Sequence, residues 1–222
     1  MKLSRQKFNE LLKENKLVLS LVGISNIGKT FWSKKLARFN FKHFSCDDLI
    51  EEKLAPELKK LGYSGIADVS HWMGQPYHRR FQKNQEKYLT IENKVMKVFL
   101  MNLKDIKKYN VVIDTTGSVV HCGSSLLREL RRRTLIVYIE ATSTMKEEMF
   151  KRYIKDPKPV VFGNIFMPKK GETKEQTLER CYRKLFTKRA LLYNKCADVI
   201  IPYEVVREAS VKSFISLIRQ SL

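Results

Sequence analysis

The run Gly23-Ile24-Ser25-Asn26-Ile27-Gly28-Lys29-Thr30 has the spacing GxxxxGK[ST]. Each fixed position has a chemical reason. Gly23 allows a tight exit from a preceding strand, and Gly28 lets backbone N–H groups wrap phosphate oxygens with no Cβ in the way. Lys29 offers a point charge to the β- and γ-phosphates, and the Thr30 hydroxyl is a ligand for Mg²⁺. The helix that should open there adds the partial positive charge of its N-terminus. The alternative, a glycine turn with an incidental lysine, lacks the context present here. Apolar Leu17 to Val22 precede the run, and a segment of good helix formers, Phe31 to Arg38, follows it. The expectation is a site for ATP and Mg²⁺ in which residues 23–30 hold the phosphates.

Two carboxylates invite a reading beside this loop. Asp47 follows the next strand-like run, where it is either a helix N-cap or an acid placed to orient or deprotonate an acceptor hydroxyl. Asp114 ends the apolar run Val111-Val112-Ile113 in Asp-Thr-Thr-Gly, where it is either a turn residue or an outer-shell carboxylate for Mg²⁺. His43, His71, His78 and His121 have no metal-ligand spacing and read as structural or surface residues.

Alternation of apolar runs with helical patterns frames these residues and predicts a parallel α/β sheet. A helix is expected over residues 4–14, then strands at 17–22, 41–45, 111–113, 135–139 and 198–202. A long helix over 85–104 carries Ile91, Val95, Val98, Phe99 and Leu103 as one core face. A C-terminal helix should run from 206 to 222. Between Asp156 and Thr173 the periodicity vanishes among prolines, glycines and lysines, which reads as a surface loop or as a lid over the nucleotide.

The chain of 222 residues suits one domain, and 43% hydrophobic residues suit an ordinary core. The apolar run at 17–22 is far below the roughly 20 residues of a membrane span, and the N-terminal stretch is too polar for a secretory signal, so a cytoplasmic protein is expected. The four cysteines are scattered and read as free, buried thiols. With 43 Lys and Arg against 23 Asp and Glu, the net charge is +20. That charge suits nucleic acid as well as phosphates and acidic substrates. No stacking-aromatic motif accompanies it. A small anionic acceptor is therefore the expected partner of a monomer.

Beyond the phosphate loop, the chain resembles the shikimate kinase family from Leu17 to Ile218. Ser45-Cys46-Asp47-Asp48-Leu49-Ile50-Glu51 is similar to the family's Asp-x-Asp-x-x-Ile-Glu. Gly65-Ile66-Ala67-Asp68-Val69 with Gly74-Gln75 and Arg79-Arg80 is similar to Ser-Ile-x-Asp-Ile-Phe…Gly-Glu…Phe-Arg. Thr116-Gly117-Ser118-Val119-Val120 stands where the family has Gly-Gly-Gly-x-Val, and Lys188-Arg189-x-x-x-Tyr193-x-x-x-Ala197-Asp198 resembles Arg-x-x-x-Tyr-x-x-x-Ala-Asp. The resemblance implies that Asp47 contacts the acceptor hydroxyls, that Arg79 and Arg189 clamp its carboxylate, and that Gly117 lies beside substrate and γ-phosphate. It places Lys158 in the lid, and Lys151 or Arg152, taken here as Arg152, against adenine. Planar guanidinium forks suit a carboxylated acceptor. Ser45 replaces the family's first Asp, for which Asp114 is the candidate compensation, and Thr-Gly-Ser replaces the glycine triplet.

The expected architecture is thus a three-layer α/β/α P-loop kinase fold with a five-stranded parallel sheet and a mobile lid. The resemblance implies an ATP-dependent kinase acting on a hydroxyl of shikimate or a similar small acid. Lys29, Asp47 and Lys158 would be catalytic, and Thr30 and Asp114 would hold the metal. The alternatives are another acceptor (a sugar acid, a nucleoside, an RNA end) and a nucleotide-binding regulatory module.

Overall fold

A computed structural model describes residues 3–106, 108–155 and 158–222. Strands β1 (Val18–Val22), β2 (Phe41–Ser45), β3 (Asn110–Asp114), β4 (Leu135–Glu140) and β5 (Val199–Pro202) form one parallel sheet in the order β2-β3-β1-β4-β5. Central strands of such a sheet are covered on both faces, which is why β1 and β3 read as near-continuous apolar runs rather than alternating ones. The chain crosses from β1 to the β2 edge, returns to β3, and then passes to the far side of β1. The loops leaving β1 and β3 therefore diverge at a reversal point, where α/β sheets form their binding crevices. The register pairs Leu21 with Asp114, and Ser45 with Asp114. Three strand ends thus open onto one place.

The helices pack around this sheet. Helix α1 (Arg5–Lys13) is capped by the Ser4 side chain and tied to the C-terminus by the Arg5 guanidinium on the Gln220 carbonyl, 2.6 Å. Helix α2 (Lys29–Ala37) follows the phosphate loop. Helix α3 (Cys46–Lys60) leads to α4 (Gly65–Met73) and to the long α5 (Phe81–Asn102). After β3 come α6 (Ser124–Arg133), α7 (Ser143–Lys155) and the 23-residue α8 (Lys174–Cys196), which starts from a reciprocal Thr173/Gln176 capping box. No helix among the described residues is long and apolar enough to cross a membrane. Cys46, Cys122, Cys181 and Cys196 are buried free thiols, as expected.

Four local expectations are corrected. Helix α3 begins one residue before Asp47, because the Ser45 hydroxyl accepts the Asp48 N–H at 3.2 Å and serves as the cap. Asp47 sits in the first turn with its carboxylate uncommitted to capping. Helix α5 starts at Phe81, and its core face differs from the apolar stripe: Val98 is 58% exposed, while the polar Gln85 and Glu92 are buried. After the short α9 (Tyr203–Val206), the C-terminal helix α10 (Val211–Gln220) starts later than 206, because the Ser210 hydroxyl accepts the Ser213 N–H and caps it there.

The expected lid over 156–173 is pinned along its centre. Asp156 and Pro157 lie outside the described residues. Val160, Val161, Phe162 and Ile165 are buried. The Gln85 side chain accepts the N–H groups of Phe162 and Gly163 at 3.1 and 2.9 Å, and Arg189 donates to the Val161 carbonyl at 2.7 Å. A segment with no periodicity still supplies core side chains when buried polar groups satisfy its backbone.

Candidate active site

The strand ends enclose a cavity of about 470 Å³, within the size range of small-molecule sites. On one side it is lined by Ser25, Asn26, Gly28, Lys29 and Thr30 of the phosphate loop. Gly23 leaves β1 at φ +149°, and a Cβ there would stand 2.8 Å from the Ile139 carbonyl oxygen, so only glycine permits this exit past β4. Gly28 begins α2 at φ +99°, left-handed backbone that exposes the helix N-terminus to the cavity without side-chain capping. Lys29 is 6% exposed, with Nζ donating to the carbonyls of Gly23 and Ile24 at 3.0 Å each. Burial lowers its pKa, and the charges of Asp114 and Asp47 oppose that shift.

The opposite wall carries Ser45, Asp47, Tyr88, Asp114 and the loop Thr116-Gly117-Ser118. The half-buried Asp47 accepts a hydrogen bond from the Tyr88 hydroxyl at 3.2 Å. Burial raises the Asp47 pKa above the usual carboxylate range, and Asp114 adds to this; Lys29 and the Tyr88 bond pull the other way. Asp114 is 4% exposed, with His43 Nε2 at 3.8 Å behind it. Gly117 lies directly on the phosphate loop: a Cβ would stand 2.9 Å from Ser25 Oγ and 3.2 Å from Ser25 N. Arg152, Lys158 and Lys34 also line the cavity.

The structure therefore brings together Ser25, Asn26, Gly28, Lys29, Thr30, Asp47, Asp114, Gly117, Arg152 and Lys158 around one space. Ile24 and Ile27 are buried beneath the loop and shape it from the core. The two arginines stand elsewhere. Arg189 is 2% exposed behind Gly117, donating through Nε to His121 Nε2 at 3.2 Å and through its other end to Val161. Burial and the neighbouring Arg189 and Lys188 depress His121 to about 4, so the ring is neutral and able to accept that bond. Arg79 is exposed on the turn between α4 and α5, outside the cavity wall.

Three residues were not anticipated. Tyr88 meets Asp47, Glu92 meets the hydroxyls of Thr116 and Ser118, and Tyr193 donates to the Gly117 carbonyl at 2.5 Å. A signal for the first two is present in the sequence: Phe81, Gln85, Tyr88, Glu92, Met96 and Phe99 share one helical face, and polar groups there fall among large apolar ones. Tyr193 lies one turn from Arg189 on α8, so that motif presents both side chains to the same loop.

No family model and no curated protein matches the chain. Solved structures do. Shikimate kinase from Acinetobacter baumannii, solved in complex with shikimate, is 18% identical with a TM-score of 0.58, covering 96% of this chain and 95% of that one. Shikimate kinase from Bacteroides thetaiotaomicron is 17% identical with a TM-score of 0.56, over 92% and 97% of the two chains. Shikimate kinase from Aquifex aeolicus is 19% identical with a TM-score of 0.51, over 90% and 94%. Along nearly its whole length, the chain has the fold of the shikimate kinases.

Proposed function

We propose that this chain is an ATP-dependent kinase that transfers the γ-phosphoryl group to a hydroxyl of a small carboxylated acceptor similar to shikimate. One observation carries the reading: Lys29 and the phosphate loop face Asp47 across a single cavity at the ends of β1, β2 and β3. Phosphoryl transfer asks for little beyond positioned cations, a metal and an acid beside the attacking hydroxyl. A new oxygen–phosphorus bond forms at the acceptor, the β–γ bridging bond breaks, and ADP leaves. Asp47 takes the hydroxyl proton, and its raised pKa makes it the stronger base. The Tyr88 hydroxyl fixes the carboxylate's direction. Lys29, released from the carbonyls of Gly23 and Ile24, meets the charge on the transferring group. Arg152 and Lys158 border the same space and supply further positive charge.

The donor set also fits Mg²⁺. The Thr30 hydroxyl and the Asp114 carboxylate are hard oxygen donors lining the same cavity, and the ion, when bound, would neutralise phosphate charge. Ser45 is committed to capping α3. Asp114→Asn should therefore raise the Mg²⁺ concentration needed for half-maximal activity more than Ser45→Ala does. The serine change should instead lower the melting temperature, for loss of a cap contributing about 1 kcal/mol. The reverse ranking in a Mg²⁺ titration would put Ser45 at the metal.

The carboxylated acceptor rests on the family resemblance, which gives Arg79 and Arg189 to its carboxylate although neither lines the cavity here. Arg79→Lys keeps charge but loses the fork, and should raise the acceptor KM about tenfold, roughly 1.4 kcal/mol, with ATP KM unchanged. Arg189→Lys should raise both constants, because Arg189 also holds Val161, two residues from the cavity-lining Pro159. Acceptor constants unaffected in both variants, with strongly salt-dependent transfer to RNA 5′-hydroxyl ends, would move the acceptor from a small acid to RNA.

A further inference from the structure

The Thr116-Gly117-Ser118 loop is held by a side chain that lies outside the cavity lining. Glu92, in the middle of α5, is 0% exposed. One carboxylate oxygen accepts the Thr116 hydroxyl, and the other accepts the Ser118 hydroxyl at 2.7 Å. The Thr116 hydroxyl oxygen accepts the Ser118 N–H at 3.0 Å, which closes the turn on itself. Glu92 therefore grips the residue on either side of Gly117, while Tyr193 holds the Gly117 carbonyl. Gly117 itself is pressed against Ser25 Oγ and N of the phosphate loop.

We propose that Glu92 is a positioning residue for the nucleotide site, tying down both hydroxyls that flank Gly117 and so holding this loop against the phosphate-binding loop. The inference rests on the nucleotide reading above. A loop of glycines can approach a ligand freely but pays for that freedom in entropy. Thr116 and Ser118 exchange the freedom for two hydrogen bonds to a buried carboxylate, which pre-organises the wall that Ser25 packs on. Charge-assisted hydrogen bonds of this kind are the stronger sort.

Protonation gives the device a signature. Burial is the main cause that pushes Glu92 up to about 7, with the hydroxyl bonds opposing it. The titratable groups facing it are Tyr88 on α5, Cys46 and Asp47 on α3, Cys122 beyond the loop, and Tyr193 on α8. None is a cation. Above pH 7 the ionised carboxylate accepts both hydroxyl protons. Below it, one oxygen carries a proton and one acceptor position is lost. Glu92→Gln holds a single acceptor oxygen at every pH and mimics the acid form.

The test is calorimetric binding of Mg²⁺ with the non-hydrolysable analogue AMP-PNP at pH 6 and pH 8, comparing wild type with Glu92→Gln. Titration of the analogue itself cancels in the ratio of the two dissociation constants. The variant should bind about tenfold more weakly at pH 8, and the ratio should fall towards one at pH 6. A ratio near one at both values, or a ratio that does not change with pH, overturns the proposal and leaves Glu92 a buried structural group. Ser118→Ala provides the same readout if Glu92→Gln does not fold. It removes one donor and leaves the carboxylate in place, so it should weaken the analogue several-fold at pH 8, and wild-type affinity there also overturns the proposal. Wild-type protein that binds no AMP-PNP at either pH removes the nucleotide site itself, a failure separate from these.

Discussion

Replacing Lys29 with alanine should lower phosphoryl transfer about a thousand-fold, equivalent to about 4 kcal/mol of transition-state stabilisation, while the protein still melts cooperatively. The size follows from where the ammonium sits. It is nearly buried, at the start of α2, with two backbone carbonyls as its hydrogen-bond partners. A buried charge interacts more strongly with developing negative charge than it would at the surface. Stability should change little, because the carbonyls of Gly23 and Ile24 can be solvated from the cavity once the side chain is removed. Kinetics and a thermal melt on the same preparation check both halves. Wild-type turnover in the variant would remove the phosphate loop from the chemistry.

Asp47→Asn should reduce kcat by about a hundred- to ten-thousand-fold, the range for loss of a positioned general base. The substitution preserves shape, and the amide oxygen can still accept the Tyr88 hydroxyl. Nucleotide affinity should therefore stay within about threefold of wild type. The pH profile separates a base from a binding group. A raised Asp47 pKa means that the active, ionised form is lost as pH falls, from a pH above the ordinary carboxylate range. That acid limb of kcat should be present in wild type and gone in Asp47→Asn. A variant that keeps the limb and most of kcat would make Asp47 a structural residue of α3.

The phosphate loop and the strand runs were legible because their reasons are local. Glycines with positive φ, a lysine, a hydroxyl and flanking periodicity all lie between Leu17 and Arg38. The cap of α3 was not. Ser45 and Asp47 are both good caps, and the structure uses Ser45, with Cys46 buried beside Met96 of α5 as the first helical residue. The face of α5 was misread for a related reason. Counting apolar positions gave the stripe through Ile91, Val95 and Val98, but the buried face includes Gln85 and Glu92, whose partners are up to 78 residues away in the chain. The same long-range bonds explain the segment after Lys158, which has no periodicity and is nonetheless pinned by Gln85 and Arg189. Arg189 lies in the motif that pointed to it, yet its partners are His121 and Val161. Motif spacing gives the residue's neighbourhood; the third dimension decides what it touches.

The measurement that bears most directly on the kinase reading follows γ-³²P from labelled ATP into a panel of acceptors, with wild type, Lys29→Ala and Asp47→Asn run side by side. The panel holds hydroxy acids including shikimate, sugars, nucleosides and RNA with free 5′-hydroxyl ends. The account predicts label on a hydroxyl of a small carboxylated compound, one ADP formed per phosphorylated product, and loss of that product in both variants. Wild-type protein that binds ATP but labels none of these acceptors would contradict it, and would leave a nucleotide-binding module in place of a kinase.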